Sequence, residues 1–141
     1  SIKFTTRKDL QIDSQICSVL FIEIPCKYGT NIVVGVMYVP PKVRQHTKTL
    51  NEFMKGFGNI LAKIQNENKL SFIMGDFNLN LLLQSTGKIV LQMLSKYSHQ
   101  PLIRRPTRVN IQQNQQNNSP QKTLIDNIIN YWFWGGIILL V

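Results

Sequence analysis

Two aspartates stand among apolar residues, where a negative charge is costly unless something compensates it. Asp76 ends the run Phe-Ile-Met-Gly, and Asp126 follows Leu-Ile and is soon followed by Ile-Ile. A carboxylate at the end of a buried strand needs a cation, a metal ion or firm hydrogen-bond donors. An Asx-turn or a helix N-cap would explain Asp76 with Asn78 after it, but not a second such acid fifty residues on. Both aspartates are therefore candidates for acid–base or metal chemistry.

The other acids have ordinary explanations. Four of them fit a solvated surface, because they lie in the polar N-terminal stretch or at predicted helix ends: Asp9, Asp13, Glu52 and Glu67. Glu23 alternates with apolar residues and fits a charge at the edge of a strand. Because the chain has only seven Asp and Glu residues, an enzyme that depends on carboxylates must find them in this small set.

A tyrosine and three arginines could contact phosphate. Tyr38 ends an apolar run just before Val-Pro-Pro, where packing at the rim of the core is the alternative. Arg104, Arg105 and Arg108 surround a proline. Arginines of this kind bind phosphate oxygens in nucleic-acid complexes, although a solvated basic loop has the same composition.

Regular elements must bring these side chains together. Runs of β-branched and aromatic residues predict strands at residues 16–24, 32–39, 70–74 and 123–130. The first two should form an antiparallel hairpin that is buried on both faces. Apolar spacing predicts helices at residues 49–66 and 87–98, and Thr49 with Glu52 has the form of a capping box. The order β-β-α-β-α-β predicts a layered α/β domain.

Composition limits the class of protein. The chain has 141 residues, enough for one domain, and 43% of them are hydrophobic, which excludes wholesale disorder. The net charge of +9 favours a polyanionic partner such as nucleic acid. Cys17 and Cys26 lack metal-binding or redox spacing, and no signal-peptide pattern opens the chain. We therefore expect an intracellular rather than a secreted protein with reduced thiols.

Two segments depart from the globular pattern. Residues 110–118 are almost only Gln and Asn, which predicts a disordered surface loop. Residues 131–141 carry no charge but are fewer than the ~20 apolar residues of a membrane-spanning helix. A truncated buried strand or an aberrant tail from a shortened or shifted reading frame is favoured over a membrane anchor. The expected division is a domain at residues 1–130 and a tail at residues 131–141.

Four ordered stretches resemble one family. The segment GDFNLNLL at residues 75–82 resembles the GDFN segment of the endonuclease/exonuclease/phosphatase superfamily. It is most similar to the apurinic-type endonuclease domain of non-LTR (LINE-like) retrotransposons. The three other stretches match that group in order: GVMYVPP at 35–41, PLIRRPTR at 101–108 and TLIDNI at 123–128.

The resemblance implies a four-layer α/β sandwich of two packed mixed sheets flanked by helices, and hydrolysis of DNA phosphodiesters with Mg²⁺ or Mn²⁺. Asp76 would orient or deprotonate the attacking water, with a metal contact possible, and Asn78 would hold the scissile phosphate or the water. Tyr38 would donate to a phosphate oxygen, and Asp126 would position a catalytic histidine. The arginines would bind phosphate. A nuclear protein, fused to or derived from a reverse-transcriptase polyprotein, is implied as well, without a small-molecule cofactor.

The same resemblance implies that the domain is incomplete. The family's metal-binding glutamate should precede Ser1, and its closing Ser-Asp-His should follow the Asp126 strand, but the sequence reaches Val141 without it. His46 and His99, in a loop and at a helix end, do not fit the catalytic position. We therefore expect little or no nuclease activity from this chain alone. The alternatives are a phosphatase of the same fold and a non-catalytic nucleic-acid-binding module.

Overall fold

The computed structural model describes residues 2–110, 121–124 and 126–131. These residues form eight strands, two α-helices and one 3₁₀ helix, and the elements follow one another as β1 (Thr5–Thr6), β2 (Ser18–Ile24), β3 (Ile32–Tyr38), the 3₁₀ helix (Pro41–Gln45), α1 (Thr47–Asn66), β4 (Ser71–Asp76), α2 (Thr86–Lys96), β5 (His99–Pro101), β6 (Arg108–Asn110), β7 (Gln121–Thr123) and β8 (Asp126–Tyr131). The predicted α/β class is confirmed.

Six strands form one mixed sheet in the order β1-β2-β3-β4-β8-β5. Strands β3 and β4 are parallel and are joined through α1, whereas the other neighbouring pairs are antiparallel. The predicted hairpin of β2 and β3 is present. The strand predicted at residues 123–130 is divided, because Thr123 pairs with Arg108 in a separate two-stranded ribbon of β6 and β7.

One face of the sheet packs under the helices. Phe21, Met37 and Ile73 project from this face into a single core that includes Phe53 and Phe57 of α1. Alternation along the strands places their neighbours on the opposite face. Four side chains there are notably exposed: Leu20 (55%), Val36 (52%), Tyr38 (47%) and Met74 (36%). The expectation that the hairpin is buried on both faces is therefore wrong for the described residues.

Helix α1 follows its predicted apolar stripe but starts differently. It begins at Thr47, two residues earlier than predicted, with His46 as the N-cap residue and no side-chain capping bond. The predicted capping box of Thr49 and Glu52 is therefore wrong. The preceding 3₁₀ helix, which packs Val43 fully into the core, already fixes how the chain enters α1.

Two predicted segments lie largely outside the described residues. Asn110 ends β6, and residues 111–118 of the predicted Gln/Asn-rich loop are not described. Tyr131 is a buried residue of β8, and residues 132–141 of the predicted tail are not described. Within the described residues, no helix is long and apolar enough to cross a membrane.

Candidate active site

Three of the residues selected from the sequence lie in one row across the sheet. Tyr38 is the Cα partner of Asp76, and Asp76 is the Cα partner of Asp126. Directly paired residues project from the same face, so all three side chains share the face opposite the helices. They also share one edge, where β3 and β4 end and β8 begins. The fold thus brings together two carboxylates and a phenol that are up to 88 residues apart in sequence.

Gly75 brings the carboxylate of Asp76 to this edge by a close backbone approach. Its φ of +149° lies in a region that L side chains rarely adopt, and a Cβ at this position would overlap the carbonyl oxygen of Met37 on β3. A glycine is therefore required immediately before Asp76. The Gly-Asp order of the motif has a steric cause that is independent of catalysis.

Asn78 holds the turn that follows Asp76. Its backbone N–H donates to the Asp76 carboxylate at 3.1 Å, which forms the Asx-turn considered from the sequence. Its side-chain Nδ2 donates to the carbonyl oxygen of Val39 at 3.0 Å, and its φ is +48°. The side chain is almost fully buried, at 8% exposure. Asn78 therefore ties the turn after β4 to the chain that leaves Tyr38.

Asn80 makes a second tie that the sequence did not predict. Its Oδ1 accepts from the backbone N–H groups of Leu82 and Leu124, both at 3.1 Å. The backbone N–H of Leu81 also donates to the carbonyl oxygen of Leu124, at 3.0 Å. The loop after Asp76 is thus fixed to the segment just before Asp126. The repeated Asn in Asn-Leu-Asn was the available signal.

Residues 102–107, which include Arg104 and Arg105, are anchored beside Asp126. The buried side chain of Asn127 accepts from the Ile103 N–H at 3.3 Å and donates to the Ile103 carbonyl oxygen at 2.9 Å. Thr107 Oγ1 accepts from the Asp126 N–H at 3.4 Å. Arg104 and Arg105 lie between these two anchors and are exposed to solvent. Arg108, the third predicted arginine, lies in β6. Sequence reasoning missed Asn127, although its place in an apolar strand was a signal.

Comparisons with solved structures place this arrangement in a known fold. No protein-family model and no curated protein matches the sequence. The endonuclease domain of TRAS1, a telomere-specific non-LTR retrotransposon, matches with a TM-score of 0.63 and 12% identity, over 92% of this chain and 56% of that domain. The chain has the endonuclease/exonuclease/phosphatase fold.

Two bacterial proteins of the endonuclease/exonuclease/phosphatase family are also similar. The one from Leptotrichia buccalis C-1013-b has a TM-score of 0.52 and 18% identity, over 79% of this chain and 41% of that protein. The one from Bacteroides thetaiotaomicron has a TM-score of 0.50 and 18% identity, over 82% and 41%. The chain therefore spans about half the length of the solved structures it matches.

Three acids, Asp9, Glu23 and Glu67, belong to an ion-pair cluster at the other end of the sheet from the row. Arg7, with a side chain only 10% exposed, pairs with Asp9 at 2.8 Å, Glu23 at 2.7 Å and Glu67 at 2.6 Å. Hydrogen bonds from Arg7 and then Lys63 hold the pKa of Asp9 well below its ordinary range. Asp9 is exposed, as expected, although it is ion-paired, whereas the solvated surface expected for Glu67 is wrong, because Glu67 is partly buried against a cation that lies 60 residues away in sequence. Asp76 and Asp126 remain as the acids that share one edge.

His99 lies at the opposite end of the sheet from Asp126. It pairs with Tyr131 at the far end of β8, about 17 Å from Asp126 at ~3.3 Å per residue. Its Nδ1 donates to the Tyr97 carbonyl oxygen at 2.6 Å, which leaves Nε2 to accept from Ser71 Oγ at 3.4 Å. Burial lowers the pKa of His99 to about 4. The imidazole is therefore a neutral core group.

The row offers oxygen donors of the kind that hard divalent cations prefer. Asp76 and Asp126 face each other directly, and like charges in that position repel unless a cation lies between them. Mg²⁺ is commonly bound through one or two carboxylates with water and substrate phosphate filling the other positions. Among the residues that the structure describes, no group of three or more His, Cys, Asp or Glu residues converges on one point. The donor set fits a two-carboxylate site rather than a full protein cage.

Proposed function

We propose that this chain carries part of the catalytic face of a Mg²⁺- or Mn²⁺-dependent DNA endonuclease of the retrotransposon type. The row of Tyr38, Asp76 and Asp126 at one sheet edge is the observation that carries the proposal. The likeness to the TRAS1 endonuclease domain and the net charge of +9 favour DNA as the polyanionic substrate. A parent polyprotein with a reverse transcriptase and a nuclear location would agree with such an origin.

The residues of the row would act on a phosphodiester placed over it. Asp76 would accept a hydrogen bond or a proton from the attacking water, and Tyr38 would donate its O–H to a non-bridging phosphoryl oxygen. Asn78 would position that phosphate or the water through the part of its amide that does not bond Val39. Asp76 and Asp126 would hold the divalent cation, which would neutralise charge that develops on the phosphoryl oxygens; for Asp126 this role, favoured by its pairing with Asp76, differs from the positioning of a histidine that the resemblance implies.

We also propose that the sheet is one of two in the complete four-layer sandwich. The support is its open face, where Leu20, Val36 and Met74 are exposed although a sheet normally buries such residues. The match covers 56% of the TRAS1 endonuclease domain, and the remainder of that domain is long enough for a second sheet. On this proposal the present chain supplies only part of the catalytic groups, so that nicking by the chain alone would be slow or absent.

Metal binding and plasmid nicking test the proposal together. Titration with Mn²⁺, followed by water-proton relaxation, should show weak binding to the chain that Asp76→Asn and Asp126→Asn each reduce. Asp13→Asn is the matched control, because Asp13 caps an exposed turn through a bond to the Gln15 N–H. Nicking of supercoiled DNA should be near background, and any excess should require Mg²⁺ and disappear with Asp76→Asn. Metal binding that both row variants leave unchanged would overturn the proposal.

A non-catalytic nucleic-acid-binding module is the second candidate. It is favoured by one observation, that the described residues gather only two carboxylates and no histidine at the site edge. Such a module would bind DNA with strong salt dependence and without a metal requirement. The Mn²⁺ titration separates the two candidates, since only the first predicts a metal site at Asp76 and Asp126.

A further inference from the structure

We propose that a second basic segment, Lys42 and Arg44 of the 3₁₀ helix, binds nucleic-acid phosphates on the side of the row opposite Arg104 and Arg105. The substrate backbone would then cross the row of Tyr38, Asp76 and Asp126 with cations on both sides. This inference rests on the proposed function, because it assumes that the row acts on DNA.

The 3₁₀ helix is fixed at the Tyr38 end of the row. It follows β3 after two residues, and the Val39 N–H donates to the Asp76 carbonyl oxygen at 2.9 Å. Val43 is fully buried, and its N–H donates to the carbonyl oxygen of Pro40 at 3.0 Å. Lys42 and Arg44, on either side of this buried anchor, are both exposed. A rigid backbone thus presents two cations beside Tyr38.

The other basic segment is fixed at the Asp126 end of the row. Residues 102–107 follow β5, which lies beside β8, and Asn127 holds them through the backbone of Ile103. The strand order places β4 between β3 and β8. One basic segment therefore follows β3 and the other follows β5, which lies beside β8, so that the two flank the row with Asp76 at its centre.

The salt bridges of the described residues lie at the end of the sheet opposite the row. Within the described parts of the chain, salt bridges engage three cations, namely Arg7, Lys63 and Lys69, and all lie with Asp9, Glu23 and Glu67 in the cluster at the other end. No carboxylate of that cluster reaches the edge of the row, because Glu23 pairs with Val33 at the start of β3. The cations of the 3₁₀ helix and of residues 102–107 are thus available for an external anion.

The spacing suits a DNA backbone. Adjacent strands lie about 4.8 Å apart, so the row from Tyr38 to Asp126 spans about 10 Å. This is of the same order as the separation between successive phosphates along one DNA strand. Cations at both ends of the row would therefore meet phosphates on either side of the one that lies over Asp76. Phosphate contacts of this kind fix the register of a strand without reading its sequence.

Salt-dependent binding tests the inference without requiring catalysis. The affinity of the chain for a fluorescein-labelled 20-base-pair duplex should be measured by anisotropy in EDTA between 50 and 300 mM KCl. In the double variant Lys42→Ala/Arg44→Ala, the plot of log association constant against log salt concentration should be less steep, its slope smaller in magnitude by about 1.8. This corresponds to roughly 50-fold weaker binding at 0.1 M salt. Arg104→Ala/Arg105→Ala should have an equal effect.

A matched double variant removes two charges elsewhere. Lys27 in the turn between β2 and β3 and Lys96 at the end of α2 are exposed and lie away from the row. The double variant Lys27→Ala/Lys96→Ala should leave the slope nearly unchanged. An equal loss with this control, or no loss with Lys42→Ala/Arg44→Ala, would overturn the inference. A failed Mn²⁺ titration with the expected slopes would instead reject only the metal-dependent reaction.

Discussion

We expect the replacement of Asp126 by asparagine to make the chain more stable, because it removes a like charge directly opposite Asp76. Asp126 and Asp76 are direct cross-strand partners, and neither side chain is fully buried. Asparagine has the same shape as aspartate and retains one carbonyl oxygen, so that the change removes charge with little change in volume.

The size of the effect follows from the register. Directly opposed residues of antiparallel strands have Cβ atoms about 5 Å apart, and two unit charges at that distance repel by about 0.8 kcal/mol in water. Partial burial raises this figure and salt lowers it, so we expect a gain in unfolding free energy of about 1 kcal/mol at low ionic strength. In a domain of this size the melting temperature should rise by about 3 °C.

Urea denaturation at pH 7 measures the difference, with Asp13→Asn as the control. Both variants raise the net positive charge by one, but Asp13 lies away from the row and accepts an exposed turn bond from the Gln15 N–H, which asparagine can keep. The stabilisation by Asp126→Asn should disappear in 1 M salt, where the Debye length is about 3 Å. Millimolar Mg²⁺ should stabilise the parent chain more than the variant. Equal stabilities of Asp126→Asn and Asp13→Asn in low salt would refute the argument.

Three further changes should alter stability measured by urea denaturation. Gly75→Ala should cost about 3 kcal/mol or more because its Cβ meets backbone, whereas Gly29→Ala, with open space around it, should cost about 1 kcal/mol. The pKa of His99 is lower in the folded chain than in the unfolded chain, so the unfolding free energy should be highest above pH 6.5 and should fall by roughly 3 kcal/mol as the pH falls to 4. The variant His99→Gln should reduce this pH dependence. Arg7→Ala should cost about 3 kcal/mol, because three carboxylates then lose a nearly buried partner; an unchanged stability would contradict the ion-pair cluster.

Local patterns predicted the elements well because their causes are local. The apolar runs define β2, β3 and β4, and the apolar stripe of residues 49–66 defines α1, since each pattern has the period of its own element. Asp76 and Asp126 could be selected for the same reason, as charges within apolar surroundings. Their direct pairing could not be predicted, because the register of β4 against β8 depends on packing between segments that are far apart in sequence.

The failures have non-local causes. Glu67 looked solvated because its partner, Arg7, lies 60 residues away in sequence. The start of α1 was misplaced because the buried Val43, rather than a capping box, sets the direction of the chain. In both cases the structure at a residue depends on a contact with another residue that lies outside the local sequence segment used for the prediction.

Three asparagine amides explain how the loops around the site are held in place. Asn78 joins the turn after Asp76 to Val39, Asn80 joins the next part of that loop to Leu124, and Asn127 joins β8 to Ile103. Each amide is buried and bonds backbone groups, which every residue carries, so the loop side chains can change without loss of the tie. The edge that holds Tyr38, Asp76 and Asp126 is thus fixed before any ligand binds. Preorganised donors of this kind do not have to be ordered during binding or reaction, which is what a site for a charged phosphoryl group requires.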